Sequence, residues 1–337
     1  MRFFALMPVR DEADIIGQCL TALLKWADVI MVFDTGSVDD TWEVVQAMAA
    51  SDKRIMPLRK DSVHFHDSTV RGWLFHQARK MMEDGDWFLR VDADEFHHVP
   101  PPEFVRSSLR RHETVVWHQY YDFRLMEDEV RAWEHGEETL QDRLRPIEER
   151  RRWFTPSHYS EPRMCRYRST MRWPSNASFP FNAGYVARER LPIRHYPHRD
   201  PVQLDRRCKI RAWMIAQRGD QLFTGYSGVD ICRSRELFSQ DAGEALDKEW
   251  RRFVTPAGLP ELQFWPLGSE LPRYSFSNHL APWRIRGAQR LLHAFLLPFM
   301  DARRDGWREE DYPEKISLDQ VRQLELFLKH KAPILRI

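Results

Sequence analysis

Asp86-Trp87-Phe88-Leu89-Arg90-Val91-Asp92-Ala93-Asp94-Glu95-Phe96 sets a run of strand-favouring apolar residues directly before three carboxylates. The pattern predicts a buried strand that delivers acid groups at its C-terminal end, where open α/β sheets bind ligands. Asp92 and Asp94 are separated by one residue, so an extended backbone sends both carboxylates toward one side. Hard oxygen donors of this kind suit Mg2+ or Mn2+, ions that keep several waters and bind substrate phosphates. A nucleotide ligand follows from that chemistry. The competing reading makes the acids caps of the next helix.

Upstream, Arg2 to Val9 reads as a first strand closed by the charged turn Arg10-Asp11-Glu12. Ile15, Ile16, Cys19, Leu20, Leu23 and Leu24 recur at helical spacing, and Val29 to Phe33 is again continuous in apolar residues. The second run ends in Asp34-Thr35-Gly36-Ser37-Val38-Asp39-Asp40-Thr41, where Gly36 permits a tight turn before a helix that starts near Thr41. Arg54 to Leu58 makes a third strand, and a helix from about Thr69 to Glu83 leads into the acidic stretch. This alternation predicts an α/β fold with a mostly parallel sheet and helices on both faces.

Downstream, helices are expected at 103–111, 202–217, 242–253, 283–303 and 318–329, and a strand at 114–121. Residues 127–152 are dense in charge and read as a solvated helix or mobile loop, with a phosphate-binding patch as the alternative. Arg163 to Arg172 carries four arginines among aromatics and a cysteine.

The chain has 337 residues, enough to bury a sizeable core, and its 51 basic and 50 acidic residues nearly cancel, which gives no prior for a nucleic-acid partner. The four cysteines, Cys19, Cys165, Cys208 and Cys232, form no Cys-x-x-Cys pair, so structural zinc and a disulfide framework are not expected. The apolar run before Pro8 is too short for a signal-peptide core, and Leu291 to Met300 is interrupted by His293 and Pro298. The expectation is a cytoplasmic protein. Trp283 to Arg303 mixes arginines with apolar residues, as a packed helix does or as a peripheral contact with the inner face of an anionic membrane does.

No Gly-x-Gly-x-x-Gly and no P-loop is present, so phosphates would be held by metal and arginine. MPVRDEADIIGQCL, VFDTGSVDDT and RVDADEF, in that order, resemble the nucleotide-diphospho-sugar glycosyltransferases of family 2, over roughly residues 1–98. Asp92 to Phe96 most resembles the branch with a downstream His-Tyr block, here His195-Tyr196-Pro197-His198-Arg199-Asp200 followed by Gln203 and Lys209. The resemblance implies the fold called GT-A and a set of roles. Pro8, Arg10 and Glu12 would line the nucleotide-base side; Asp34 and Asp39, with Gly36 in the turn between them, would contact base and ribose. Arg71 would face the nucleotide or its phosphates. Asp92, Asp94 and His195 would hold Mn2+ or Mg2+, and Arg199 and Lys209 would neutralise the leaving diphosphate. Arg10-Asp11 departs from the asparagine that many relatives carry before the acidic residue.

The expected activity is metal-dependent transfer of a sugar from a nucleotide-diphosphate donor, a UDP-sugar, to a hydroxyl of a carbohydrate, lipid-linked or other polymeric acceptor. Residues 1–218 would form the GT-A-like domain, with a nucleotide-sugar half over 1–98 and an acceptor and metal-completing half over 99–218; residues 219–337 would form a C-terminal extension of helices and aromatic loops. Trp117, Trp153 and Trp173 offer faces for sugar stacking, against the default of core packing. No single carboxylate is marked as the acceptor base among Asp122, Glu127, Asp128 and Asp230. His64-Phe65-His66-Asp67 reads as an exposed loop over a metal site, and His97-His98 as the end of a strand or a wall of the acceptor pocket. Rival readings are a sugar-nucleotide nucleotidyltransferase and a non-enzymatic carbohydrate-binding protein.

Overall fold

β1 (Phe3–Val9) is buried along its whole length, as a strand covered on both faces must be. The computed structural model describes residues 1–64, 67–157, 160–174, 179–218, 247–273 and 312–330. The expected helix at 283–303, Cys232, Asp230 and His66 lie outside the described residues.

After β1 come α1 (Ile16–Leu23), β2 (Val29–Asp34), α2 (Thr41–Ser51), β3 (Ile55–Lys60), α3 (Asp67–Ala78) and β4 (Trp87–Arg90). β5 (Glu95–His97), α4 (Pro101–Ser108), β6 (Glu113–Phe123), α5 (Glu127–Glu134) and α6 (Ile147–Arg150) follow. The remaining elements are β7 (Trp153–Pro156), β8 (Pro162–Arg166), β9 (Tyr185–Val186), β10 (Leu191–His195), α7 (Pro201–Arg218), β11 (Gln263–Phe264) and α8 (Leu318–His330).

Contacts divide the chain into two units, one of Met1–Tyr121, Pro156–His195 and Glu270–Glu314, the other of Asp122–Thr155, Tyr196–Ser269 and Lys315–Ile337. The boundary expected after residue 218 falls at the edge of undescribed chain, and the observed division follows contact instead of sequence order.

In the first unit the strands run β6-β8-β4-β1-β2-β3. β4, β1, β2 and β3 are mutually parallel, and β8 runs antiparallel to both β4 and β6. Strand alternation splits the core in two. Phe4, Leu6, Phe88, Val115 and Cys165 face α3 residues Val70, Leu74 and Phe75 on one side. Phe3, Trp87, Leu89, Val116 and Met164 face Phe104 of α4 on the other. Adjacent residues of one strand thus serve opposite cores, which explains why the strand sequences read as unbroken apolar runs.

In the second unit, α5, α7 and a short 3-10 helix at Glu249–Phe253 pack Val130, Leu204, Cys208 and Trp250 together with Leu125. The charge-dense 127–152 segment is exposed over much of its length, Glu127, Asp128, Arg131, Glu134, Glu137, Arg145 and Glu149 included, but its end is not. Arg150 and Arg151 are 7% and 1% exposed, and both bond to Glu138, while Arg143 makes a two-pronged bond to the wholly buried Asp200. Local charge density predicts exposure except where charges find partners inside the fold, as Arg150 and Arg151 do. Among the described residues no helix is long and apolar enough to cross a membrane.

Candidate active site

The C-terminal ends of β1, β2 and β4 open on one edge of the sheet because the three strands are parallel, with Val9 beside Asp34 and Leu6 beside Arg90. The loops there are tied to each other by side chains. Asp11 sits at φ 54°, a left-handed conformation that Asp tolerates, and its Oδ1 accepts the Val38 N–H at 2.9 Å while its own N–H donates to Ser37 Oγ at 2.9 Å. The Glu12 N–H donates to Thr41 Oγ1 at 2.8 Å and the Ala13 N–H to Asp39 Oδ2 at 3.2 Å. Asp39 also accepts the Thr41 N–H at 3.1 Å and the Thr41 hydroxyl, so both of its oxygens hold the turn. Arg10 donates to the carbonyls of Thr35 and Val63 at 3.3 and 3.4 Å; burial pulls its pKa down against the opposing effect of Asp11 and Asp34.

Asp34 is wholly buried. Its Oδ1 accepts the N–H groups of Gly36 and Ser37 at 2.8 and 2.6 Å, and its Oδ2 has no donor among the described residues. Burial raises its pKa, partly offset by those two backbone bonds. Gly36 has φ 106°, and a Cβ there would lie 2.7 Å from the Ser62 Cα. Gly36→Ala is therefore expected to cost about 2–5 kcal/mol, from backbone strain plus a clash with main chain that cannot step aside. A chemical denaturation midpoint equal to wild type would refute it.

The acidic motif is divided by its partners. Arg71, on α3 and 4% exposed, donates Nη2 to both oxygens of Asp92 at 2.8 and 3.1 Å. Arg163, on β8, donates Nη1 to Asp92 Oδ2 at 3.0 Å, pairs through Nη2 with Glu95 Oε1 at 3.1 Å, and contacts Glu161 through Nε. Burial opposes the charge on Asp92, yet Arg71 and Arg163 hold its carboxyl well below the usual range. Glu95 is pushed up to about 7 by burial, against the pull of Arg163.

Asp94 turns elsewhere. The antiparallel register of β10 with β5 sets His195 opposite Glu95, and His195 Nε2 lies 3.6 Å from Asp94 Oδ2. Asp94 is 5% exposed and the His195 side chain 24%. The expected trio of Asp92, Asp94 and His195 is thus a pair beside an arginine-held carboxylate, and among the described residues no three acidic, histidine or cysteine side chains gather into a metal cluster. Asp92 is drawn away because two guanidiniums offer it charge-assisted bonds.

Arg163 escaped selection as a site residue. Its only signal in the sequence is the arginine content of 163–172, and the β4–β8 register, Leu89 opposite Met164, is what carries it to the acidic motif. Arg199 and Lys209 belong to the second unit. Arg199 is wholly buried and donates Nη1 to the Tyr196 carbonyl at 3.1 Å; Lys209 Nζ pairs with Asp205 at 2.8 Å and Asp247 at 3.0 Å. Pro8 is buried within β1, paired with Phe33. Trp173 is 1% exposed in the α3-side core, and Trp117 is partly buried against it. The His64 N–H donates to the Glu314 carbonyl at 2.8 Å.

The model of Glycosyl transferase family 2 matches residues 4–183. The chain belongs to glycosyl transferase family 2. The match covers the whole β1-to-β4 sheet, the acidic motif and Arg163, and stops before β10, so His195 lies beyond it. Among solved structures, this family 2 chain is similar to the mannosyltransferase PcManGT from Pyrobaculum calidifontis in complex with GDP-Man and Mn2+, at 11% identity and TM-score 0.35, covering 73% of this chain and 72% of that one. It is also similar to glucosyl-3-phosphoglycerate synthase from Mycobacterium tuberculosis in complex with Mn2+, UDP and phosphoglyceric acid, at 19% identity and TM-score 0.24, covering 35% of this chain and 43% of the synthase. No curated protein compared with the chain matches it.

Proposed function

We propose that this family 2 glycosyltransferase moves a sugar from a UDP-sugar to a hydroxyl of a carbohydrate or other polymeric acceptor, with Mn2+ or Mg2+ held by Asp94 and His195. The observation that carries the proposal is the approach of these two side chains at the ligand-binding edge of the sheet. Two donor atoms bound to one ion at about 2.1 Å can be at most about 4.2 Å apart, so the 3.6 Å spacing fits a shared ion. A carboxylate with a neutral imidazole suits Mn2+, and the waters and diphosphate oxygens such ions favour complete the shell. When bound, the ion stabilises negative charge on the departing nucleoside diphosphate.

The chain's own groups bind and orient. Asp34 Oδ2, buried and without a donor among the described residues, supports recognition of a base that presents an N–H, as uracil does. Arg10, Glu12 and Pro8 form the neighbouring wall, with Gly36 and Asp39 shaping the turn opposite. Arg71 fixes Asp92 near the ribose and phosphates.

Thermal unfolding with Mn2+ and UDP, GDP, CDP or ADP tests this reading. At a hundredfold excess over Kd, UDP with Mn2+ is expected to raise the midpoint by about 3–6 °C and UDP alone by much less. If no nucleotide shifts the midpoint in the presence of metal, the proposal fails; a shift by GDP alone would keep the enzyme class and replace the donor.

A further inference from the structure

The loop after β3, residues 61–64, is the outer support of the Asp34 turn. The Asp61 N–H donates to the Asp34 carbonyl at 2.9 Å and the Val63 N–H to the Thr35 carbonyl at 3.3 Å, while the Ser62 main chain abuts Gly36. The turn that presents the Asp34 carboxylate is therefore only as firm as this loop. Two residues from far along the chain, both within the first unit, hold it. Tyr312 lies 251 residues beyond Asp61, and its hydroxyl donates to Asp61 Oδ2 at 2.8 Å. Its ring stands 6.2 Å from that of Phe33, the residue before Asp34, and 6.0 Å from that of Trp73 on α3, with the Arg59 guanidinium 4.8 Å from its centroid. Arg59 in turn pairs with Asp61 at 2.6 Å. Pro313 is buried, and the Glu314 carbonyl accepts the His64 N–H at 2.8 Å, which pins the far end of the same loop. Burial and the Asp61 carboxylate push the Tyr312 phenol up, so its hydroxyl stays a donor throughout the neutral range.

We infer that Tyr312 is a positioning residue for nucleotide recognition: together with the Glu314 carbonyl it clasps the 61–64 loop, and through that loop it holds the Asp34 turn in the shape that receives the base. The inference rests on the proposed donor site at Asp34. A turn ordered in advance loses little conformational freedom when a nucleotide enters, so affinity rises by the cost thus avoided. When the clasp opens, only the fraction of molecules with the turn in place can bind, and the apparent affinity falls with that fraction. The acidic motif after β4 has its own supports in Arg71 and Arg163 and should not feel the loss.

The test joins backbone hydrogen exchange read by mass spectrometry with calorimetric binding, in the presence of Mn2+, of UDP or of the nucleoside diphosphate that wild type prefers. Tyr312→Phe removes one hydrogen bond and keeps the ring, so exchange at 34–38 should quicken and the nucleotide should bind more weakly, each by about threefold to fivefold. Tyr312→Ala also removes the ring packing, and both effects should reach about tenfold or more. Exchange at 87–96 should match wild type in both variants. A side chain that merely filled the core would quicken exchange at 61–64 and lower the unfolding midpoint without changing the turn or the affinity of the folded protein. Wild-type exchange at 34–38 in Tyr312→Ala, equal quickening at 87–96, or wild-type nucleotide affinity in either variant overturns this inference alone. Failure of wild type to bind any nucleoside diphosphate with Mn2+ overturns the donor site beneath it. Where Tyr312→Ala does not fold, Tyr312→Phe decides by the same two readouts.

Discussion

Asp94→Asn is expected to lower sugar transfer by about a thousandfold while leaving the unfolding midpoint unchanged or slightly raised, and Asp92→Asn is expected to do the reverse in stability. The two acids differ by one residue in sequence and entirely in partners. Asp94 is nearly buried beside an imidazole, so neutralising it removes a desolvated charge; it also removes a proposed ion ligand, whose transition-state contribution of several kcal/mol corresponds to a loss of that size. His195→Ala should reproduce the activity loss. Asp92 pairs with two buried guanidiniums while its own side chain is 29% exposed, and an amide there weakens both charge-assisted bonds, at a cost of about 1.5–3 kcal/mol. Donor hydrolysis assays and denaturant midpoints on the two variants check both halves. Equal stability losses would show that Asp92 and Asp94 are not divided as described.

Acidification is expected to destabilise the protein steeply between pH 6.5 and pH 4, because His118 is buried and the ring nitrogens of the half-buried His97 are shut away from solvent. His97 and His118 meet edge to face with ring centroids 5.4 Å apart, between Trp26 and Tyr120, and none of their four ring nitrogens has a hydrogen-bond partner among the described residues. Burial, reinforced by Arg163, pushes His97 down to about 3; burial, then His97, Arg163 and Arg90, holds His118 far below its ordinary value. A depressed folded pKa means that the unfolded chain binds more protons once the pH drops below about 6.5. Stability from these groups is therefore complete above that pH and is lost as the pH falls toward the folded values. By pH 4.5 each imidazole costs about 2–3 kcal/mol. His118→Phe keeps the shape and removes an unsatisfied polar ring, so it should be neutral or stabilising at pH 7.5 and should reduce the pH slope of unfolding free energy by about one proton. An unchanged slope would mean that His118 does not titrate on unfolding.

Much of this site was legible in the sequence, because strand ends in a parallel sheet are local features. The turns after β1 and β2 and the acids after β4 follow apolar runs that only a strand covered on both faces can use, and parallel pairing then brings their C-terminal ends together. Asp11 was visible only as a departure from the family pattern; its left-handed backbone and its bond to Val38 explain the acid, since an Asp oxygen serves the amide as an Asn oxygen would. The charged 127–152 segment was read correctly as exposed over much of its length and misread at its end, because pairing between Arg150, Arg151 and Glu138 is a property of the folded unit.

The sequence by itself determined the alternating order of strands and helices, the membership of family 2 and the position of the acidic motif at a strand end, since each is written in residues close together along the chain. Only the tertiary structure decided which partner each acid meets. The antiparallel registers of β8 with β4 and of β10 with β5 bring Arg163 to Asp92 and His195 to Asp94, and a register between distant strands is set by the packing of two cores that no single stretch of sequence contains.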